Sequence, residues 1–377
     1  MNQLHDLYNR TGSNWTHHAD LMKVVGDEVT VSIINALCGP YLLKLNPNFL
    51  QDFWDFDRNL QTYVPSRAYA ARKRVLDAVR VWQQHARDHF TDSVMDVNGD
   101  DCFWGSSFFR ERQQMFLEMD GFDYDAIASL DFGVIWAVRN SVTAASWAIF
   151  EIYRDTDLLA SVRAEVDTCA LRSADGRIRF NIEQLLRLPV LQAVYAETLR
   201  LRMHFYIIRM PDKVDMNIRD WVIPRRKVVV TPTTVAHMDS KAWNTGLNNE
   251  HPVDQFWIGR FLKYPSKGAN DNAQPHDSEP SPTFSTKELE GSWIPYGGGP
   301  RQCPGRHFAK RQILLTMALM VSLFDCEILD EGKNVQEDFT LKGFGGGVSH
   351  PAGKVPARIR RRDGGNRFFD GFKPTAA

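Results

Sequence analysis

The chain has 377 residues, 43% of them hydrophobic and 24% charged, with a formal net charge of −1. This is ordinary globular composition with length for a large core, and the near-neutral balance excludes bulk attraction to nucleic acid. Met1 to Asp20 is polar and holds no signal-like apolar run, and five scattered cysteines without pairing motifs (Cys38, Cys102, Cys169, Cys303, Cys326) predict free thiols in a reducing compartment.

Residues 21–38 repeat apolar side chains at helical spacing and end at Gly39-Pro40, which predicts a helix with a defined stop. Helices are also expected over 47–64, opened by Asn46-Pro47 and closed by Pro65-Ser66, and over 68–90, where Val79, Trp82 and Ala86 share a face. Residues 91–105 read as a loop and 110–118 as helix. Residues 122–154 are apolar almost all round, the pattern of a helix buried in the middle of a large α protein. A charged helix follows over 156–167, then a turn in the 170s. The next helix, 182–201, carries Glu197 and Arg200 three apart on one face. Such a pair is common on solvated helices, but this one sits in an apolar context.

Phe205 to Arg209 reads as extended, and 221–224 and 227–232 as short strands around an Arg225-Arg226 turn. Residues 264–285 are poor in apolar side chains and rich in Pro, Ser, Asn and Asp, which predicts a surface loop. The longest apolar run, Ile313 to Phe324, is too short to cross a bilayer and lies in a helix expected over 308–324. Strands are expected at 327–329 and 355–359, with a glycine turn, Phe344 to Val348, between them. Arg358 to Arg362 reads as a basic, solvated tail.

The densest chemical signal is the glycine-rich loop before that last long helix, from Ser292 to Phe308. Glycines let backbone N–H groups approach a bulky, flat group. Cys303 stands where the helix begins, and helix-terminal N–H groups favour a thiolate there. Such a thiolate is a metal ligand or a nucleophile. Cys303 and His307 are four apart and could be half a zinc site, but no second ligand pair accompanies them. A buried structural cysteine is the plainer alternative.

The order aromatic-x-x-Gly-x-Arg-x-Cys-x-Gly, filled by Tyr296, Gly299, Arg301, Cys303 and Gly305, resembles the haem-binding loop of cytochromes P450, with Tyr where that family usually has Phe. The resemblance implies a mainly α fold with small β-sheets and one P450 domain over residues 1–377. It implies Cys303 as the thiolate on the iron of haem b, Arg301 against one haem propionate and Arg209 against another. Thiolate ligation pushes electron density onto iron and favours O–O cleavage. It further implies that Glu197 and Arg200 are buried and bonded to Arg260, which lies in a segment, Gln255 to Leu262, resembling the family's "PERF" stretch. Ala236 to Asp239, with Trp243, resembles the segment before it.

By the same resemblance, 122–154 is the long helix that passes over the haem. Where the family places an acid and a threonine, this chain has Arg139-Asn140, and Asn140 can hydrogen-bond but cannot ionise. A similar Asn occurs in the branch holding sterol 7α-hydroxylases and prostacyclin synthase. Asn140, Ser141 and Thr143 are the expected distal residues, and Trp136, Phe205, Ile207 and Val348 the expected pocket walls, with the Phe344 to Val348 turn reaching into the pocket. The match runs from the family's middle to its end. A fold lacking its N-terminal part, a truncated member, is therefore expected.

The implied activity is hydroxylation of a small apolar substrate (a sterol, terpenoid or other lipid) with O₂ and electrons from NADPH–cytochrome P450 reductase; secondary-metabolite biosynthesis is one setting. Arg306, Lys310 and Arg311 would offer that reductase a basic patch. Two alternatives stand beside it: a haem-thiolate isomerase or dehydratase needing no O₂, and a haem-free remnant. A monomer without nucleic-acid partner is expected. Full-length relatives are expected at the endoplasmic reticulum membrane, and this chain, with no anchor, would face the cytosol.

Overall fold

In the computed structural model, which describes residues 2–60, 65–172, 178–265, 281–339 and 345–362, the helix Arg139–Arg154 is buried on every side. Of its residues, Asn140 and Arg154 alone escape full burial. It packs against helices Leu21–Cys38, Thr156–Asp167, Pro189–Arg202 and Arg306–Leu323. An apolar surface all round a helix has no stable place but the centre of such a bundle. Trp147 and Phe150 meet edge to face at 5.6 Å in that centre, and Trp147 Nε1 donates to Ser349 O at 2.8 Å.

The stretch 122–154 is not one helix. It starts at Tyr124, where the Asp123 carboxylate accepts from Ala126 N–H, and it breaks at Val138 between Tyr124–Ala137 and Arg139–Arg154. Val138 N–H bonds Ile135 O, a tightened turn. The next two residues are drawn to a strand at the far end of the chain, as described below. The stretch 182–201 also divides, into Ile182–Leu185 and Pro189–Arg202. Leu188 precedes Pro189, and the proline ring excludes helical geometry from the residue before it, here at ψ 116.

The helix Leu21–Cys38 has the expected bounds, closed by Gly39 at φ 70. The helices expected over 47–64 and 68–90 are Phe49–Leu60 and Pro65–His89, and residues 61–64 lie outside the described residues. The N-terminal stretch, polar by composition, forms the helix Asn2–Arg10, which buries Leu4, Leu7 and Tyr8.

Strand Ala357–Arg361 lies between Thr16–His18 and Phe324–Ile328, antiparallel to both. Arg358 to Arg362 is therefore not a solvated tail. Its side chains are half-buried because partners flank them: Arg358 pairs with Glu327, Arg360 with Asp325, and both guanidiniums stack on Trp15. A second sheet runs Gly346–Val348, Met203–Arg209, Val229–Pro232. The glycine turn expected at Phe344 to Val348 is thus a strand from Gly346, with Phe344 outside the described residues. Of the 264–285 loop, the base is described, closed by Leu262–Lys263 pairing with Thr283–Phe284.

Gly39 and Gly105 bring two backbones together: a Cβ on Gly39 would lie 2.7 Å from Cys102 O, and one on Gly105, at φ +78, would fall inside contact distance of Gly39 N. Gly105→Ala should therefore cost about 2–4 kcal/mol of folding stability in denaturant titration. Gly133→Ala, in a helix interior with open space at the missing Cβ, should be neutral or stabilise by about 0.5–1 kcal/mol.

Candidate functional site

The Cys303 loop rests on the helix Pro189–Arg202. Trp293 Nε1 donates to Ala196 O at 3.1 Å, and the Tyr296 and Tyr195 hydroxyls meet at 2.7 Å. Burial pushes the Tyr296 phenol up to about 12, so this is a bond between neutral hydroxyls. Cys303 N–H donates to Tyr296 O at 3.0 Å, and Arg306 Nη1 donates to Cys303 O at 3.0 Å. These bonds occupy the cysteine's backbone. Its thiol is half-buried, takes no hydrogen bond among the described residues, and stands just before the helix Arg306–Leu323.

Gly297 and Gly299 adopt φ 70 and 69, which a side chain would strain, and a Cβ on Gly298 or Gly299 would meet nothing within 4 Å. Arg209 lies beside them, with Nη2 donating to Gly298 O at 2.8 Å, and Arg301 is exposed in the same loop. A half-buried thiol with no partner among the described residues, glycine backbone facing open space and two nearby guanidiniums fit a planar, anionic, metal-centred group.

Beneath the loop, Glu197 and Arg200 are fully buried. Arg200 grips the carboxylate with two bonds of 2.7 and 2.9 Å, and Arg260 Nε adds a third at 3.1 Å. Trp257 N–H donates a fourth at 3.0 Å. The spare guanidinium N–H groups go to carbonyls: Arg200 Nη1 to His237 O at 2.8 Å, Arg260 to Asn244, His251 and Pro252. Glu197 thus bonds both Arg200 and Arg260, and the three also take several backbone partners.

His237 carries this floor up to the loop. Ile294 N–H donates to its Nε2 at 3.1 Å, a bond that requires an unprotonated nitrogen. Burial first, and the Arg200 charge second, push His237 down to about 3. Its role had no spacing signal; it appeared in the sequence as part of a segment before Trp243.

The other wall is the break at Val138. Arg139 is fully buried; Nη2 donates to Gly346 O at 2.7 Å and Nη1 to Val348 O at 3.4 Å. Its Nε lies 3.1 Å from Asp57 Oδ1, and His350 Nε2 lies 2.7 Å from Asp57 Oδ2. Trp136, expected as a pocket wall, donates Nε1 to the same carboxylate at 2.9 Å. Burial works to raise the Asp57 pKa, but these partners outweigh it and hold it below the usual carboxylate value.

Asn140 Oδ1 accepts from Val348 N–H at 3.0 Å, and a Cβ on Gly347 would overlap the Asn140 amide. Ser141 Oγ bonds its own helix at Val138 O, and Thr143 is buried. Strand Gly346–Val348 pairs with Met203–Phe205, and the Phe205 ring lies beside Gly297 of the cysteine loop. One path of contacts thus joins Cys303's loop, Phe205, Val348 and Asn140. Ile207 lies farther along the same strand, half-buried.

The basic patch expected from Arg306, Lys310 and Arg311 does not form as a solvated face. Lys310 turns inward, bonding Gln192 Oε1 at 2.7 Å and lying over the Tyr195 ring, and Arg306 caps Cys303 O. Arg311 is exposed. Helix spacing cannot distinguish such inward turns, because the apolar stems of Lys and Arg suit either side.

Residues 74–352 match the family model described as Cytochrome P450. The chain belongs to the cytochrome P450 family. Among curated relatives of this P450, the cytochrome P450 monooxygenase fsoE of Humicola fuscoatra is 35% identical over 92% of this chain and 63% of its own length. The monooxygenase efuG of Hormonema carpetanum is 34% identical over 93% of this chain and 65% of its own. Cytochrome P450 7A1 of Oryctolagus cuniculus is 25% identical over 75% and 54%. The likeness to the sterol 7α-hydroxylase branch is therefore distant beside that to the fungal enzymes. This P450 spans 63% to 65% of the length of the two fungal relatives. Among its described residues no helix is long and apolar enough to cross a membrane.

The neutral His237 has a measurable consequence. The unfolded chain protonates this imidazole near pH 6.5, while the folded chain resists until about 3. The unfolded state therefore binds the extra proton, and stability falls as pH falls, at about 1.4 kcal/mol per pH unit once the pH is well below 6.5. Denaturant titrations between about pH 5.5 and 4 should carry this slope, and His237→Asn, which cannot take up the proton, should flatten it by that amount. Parallel slopes in the two proteins would contradict the assignment.

Proposed function

We propose that this chain is the haem-thiolate part of a P450 monooxygenase. The observation that carries the reading is Cys303: a half-buried thiol without a hydrogen-bond partner among the described residues, its backbone held by Tyr296 O and Arg306 at the start of a helix. Cys303 would hold the iron of haem b, and Arg301 and Arg209 would face its propionates. Gly299 and Gly305 would keep side chains off the porphyrin face, and Tyr296 would fix the loop through Tyr195. The haem, when bound, supplies activation of O₂ and insertion of an oxygen atom into a C–H bond.

The protein's own residues orient and enclose. Asn140, with Ser141 and Thr143 behind it, would line the distal side. Its Oδ1 accepts from Val348 N–H, which fixes the amide and leaves the nitrogen's N–H donors and the oxygen's second lone pair to meet a substrate or water. Phe205, Ile207, Trp136 and Val348 would wall an apolar substrate of the sterol, terpenoid or lipid class. The named fungal relatives, fsoE and efuG, support a place in fungal secondary metabolism. Electrons would come from NADPH–cytochrome P450 reductase.

One observation favours a second reading, a haem-thiolate isomerase or dehydratase. The positions where the family has an acid and a threonine are Arg139 and Asn140, and both are engaged by strand Gly346–Val348. Neither offers an ionisable acid to a proton-transfer step. Turnover that needs reductase, NADPH and O₂ supports the monooxygenase; turnover without them supports the isomerase.

The reduced protein with CO should absorb at about 450 nm, the mark of thiolate-ligated haem. Cys303→Ser should lose that band. A wild-type chain that takes up no haem would sink both readings and leave an inactive remnant. An unchanged band in Cys303→Ser would remove the cysteine from the iron.

A further inference from the structure

Helix Phe49–Leu60 turns Phe49, Phe53 and Phe56 to the core. Asp57 follows Phe53 by four, so helical spacing sets its carboxylate on that same apolar face. The helix's other acids stay nearer to water. Asp52 keeps 17% of its side chain exposed and pairs with Arg74, and Asp55 keeps 34% and pairs with Arg58, whereas Asp57 keeps 1%. A carboxylate is costly to bury unless it is both paired and fully hydrogen-bonded.

Asp57 meets that demand with three donors from three elements. Trp136 Nε1 reaches Oδ1 at 2.9 Å from helix Tyr124–Ala137. Arg139 Nε lies 3.1 Å from the same oxygen at the start of helix Arg139–Arg154. His350 Nε2 lies 2.7 Å from Oδ2, just beyond strand Gly346–Val348. Phe56, the residue before Asp57, packs edge to face on the Trp136 ring at 5.7 Å.

The break at Val138 gives this convergence its consequence. Residues on opposite sides of a helix break are not held in register by one hydrogen-bond ladder. Trp136 stands before the break and Asn140 after it, and Asp57 is a group that both sides share. On the near side it takes the indole N–H itself. On the far side it takes Arg139, whose Nη2 and Nη1 donate to Gly346 O at 2.7 Å and Val348 O at 3.4 Å. Val348 N–H in turn donates to Asn140 Oδ1 at 3.0 Å.

We propose that Asp57 is a positioning residue for the substrate: one buried carboxylate fixes the Trp136 indole directly, and the Asn140 amide through Arg139 and strand Gly346–Val348. This rests on the reading above that Trp136 and Asn140 face the substrate.

The test is a variant cycle on the 377-residue chain: Asp57→Asn, Arg139→Gln and the two together, read by amide hydrogen exchange with mass spectrometry. Strand Phe324–Ile328, in the other sheet, reports global opening. Each single variant leaves a buried charge without its partner and should lower the denaturation midpoint. The double variant removes both charges and should recover most of that loss. Position should not recover with it. In the double variant the Gly346–Val348 segment should exchange about tenfold faster than in the wild type, while Phe324–Ile328 exchanges at the wild-type rate. Because Asp57 acts through Arg139, the double variant should exchange there no faster than Arg139→Gln alone. With haem bound, the dissociation constant for imidazole, a small probe of the distal side, should shift about fivefold or more. Wild-type exchange at Gly346–Val348 in the double variant overturns the proposal, as does exchange there that rises only in step with Phe324–Ile328. Additive effects of the two substitutions, or an unchanged imidazole affinity, also overturn it. The exchange measurement needs no haem: faster exchange in a double variant of a chain that takes up none would uphold Asp57's hold on the strand and sink the P450 reading alone.

Discussion

The arrangement depends on one carboxylate. Glu197 is taken out of water together with two guanidiniums, a desolvation cost of several kcal/mol per ion that is offset only if every donor and acceptor is met. They are met: four donors converge on Glu197, and the N–H groups left over find backbone carbonyls between His237 and Pro252. Such a cluster is weak evidence for net stability. What it supplies is position, because a bidentate guanidinium tolerates few geometries. Through His237 that position reaches Ile294, and through Trp293 and Tyr195 it reaches Tyr296.

The same device recurs around the central helix. Arg202 joins Glu151 and Glu337, and His204 Nε2 meets the second Glu337 oxygen at 2.9 Å. Arg139 joins Asp57 and the carbonyls of Gly346 and Val348. For Arg139 the reason is local: the strand Gly346–Val348 is mostly glycine and has almost no side chain to pack, so side-chain hydrogen bonds to its backbone do what interdigitation does elsewhere. The helix break at Val138 follows from the same demand, since Arg139 and Asn140 must reach that strand. Both residues serve attachment of the helix to that strand.

The relatives and the site agree at the level of family and differ in detail. The fungal enzymes match over nearly all of this chain, and cytochrome P450 7A1 more weakly. A tyrosine stands in the cysteine loop where phenylalanine is usual, and its hydroxyl is used rather than merely tolerated: it meets Tyr195, two residues from Glu197. The loop is thereby tied to the buried cluster by a hydrogen bond as well as by packing.

The linear order of residues determined what depends on spacing and local chemistry. The cysteine loop was legible because five residue types at set intervals match a family pattern. The central helix was legible because apolar groups all round a helix demand burial, and helix Leu21–Cys38 because Gly39 at φ 70 stops it. Leu188 and Pro189 also carried a local signal, the stop at 188, that the apolar run obscured. The tertiary structure alone decided contacts between residues far apart in the chain. Asp57 with Arg139 and His350, His237 with Ile294, and Lys310 turned toward Tyr195 have no periodicity that announces them. A buried arginine and a solvated one look alike in a sequence. Whether a charge lies in water or against a distant carboxylate is settled by which elements fold onto it, and that is why Arg358 to Arg362 became a half-buried strand end rather than a tail.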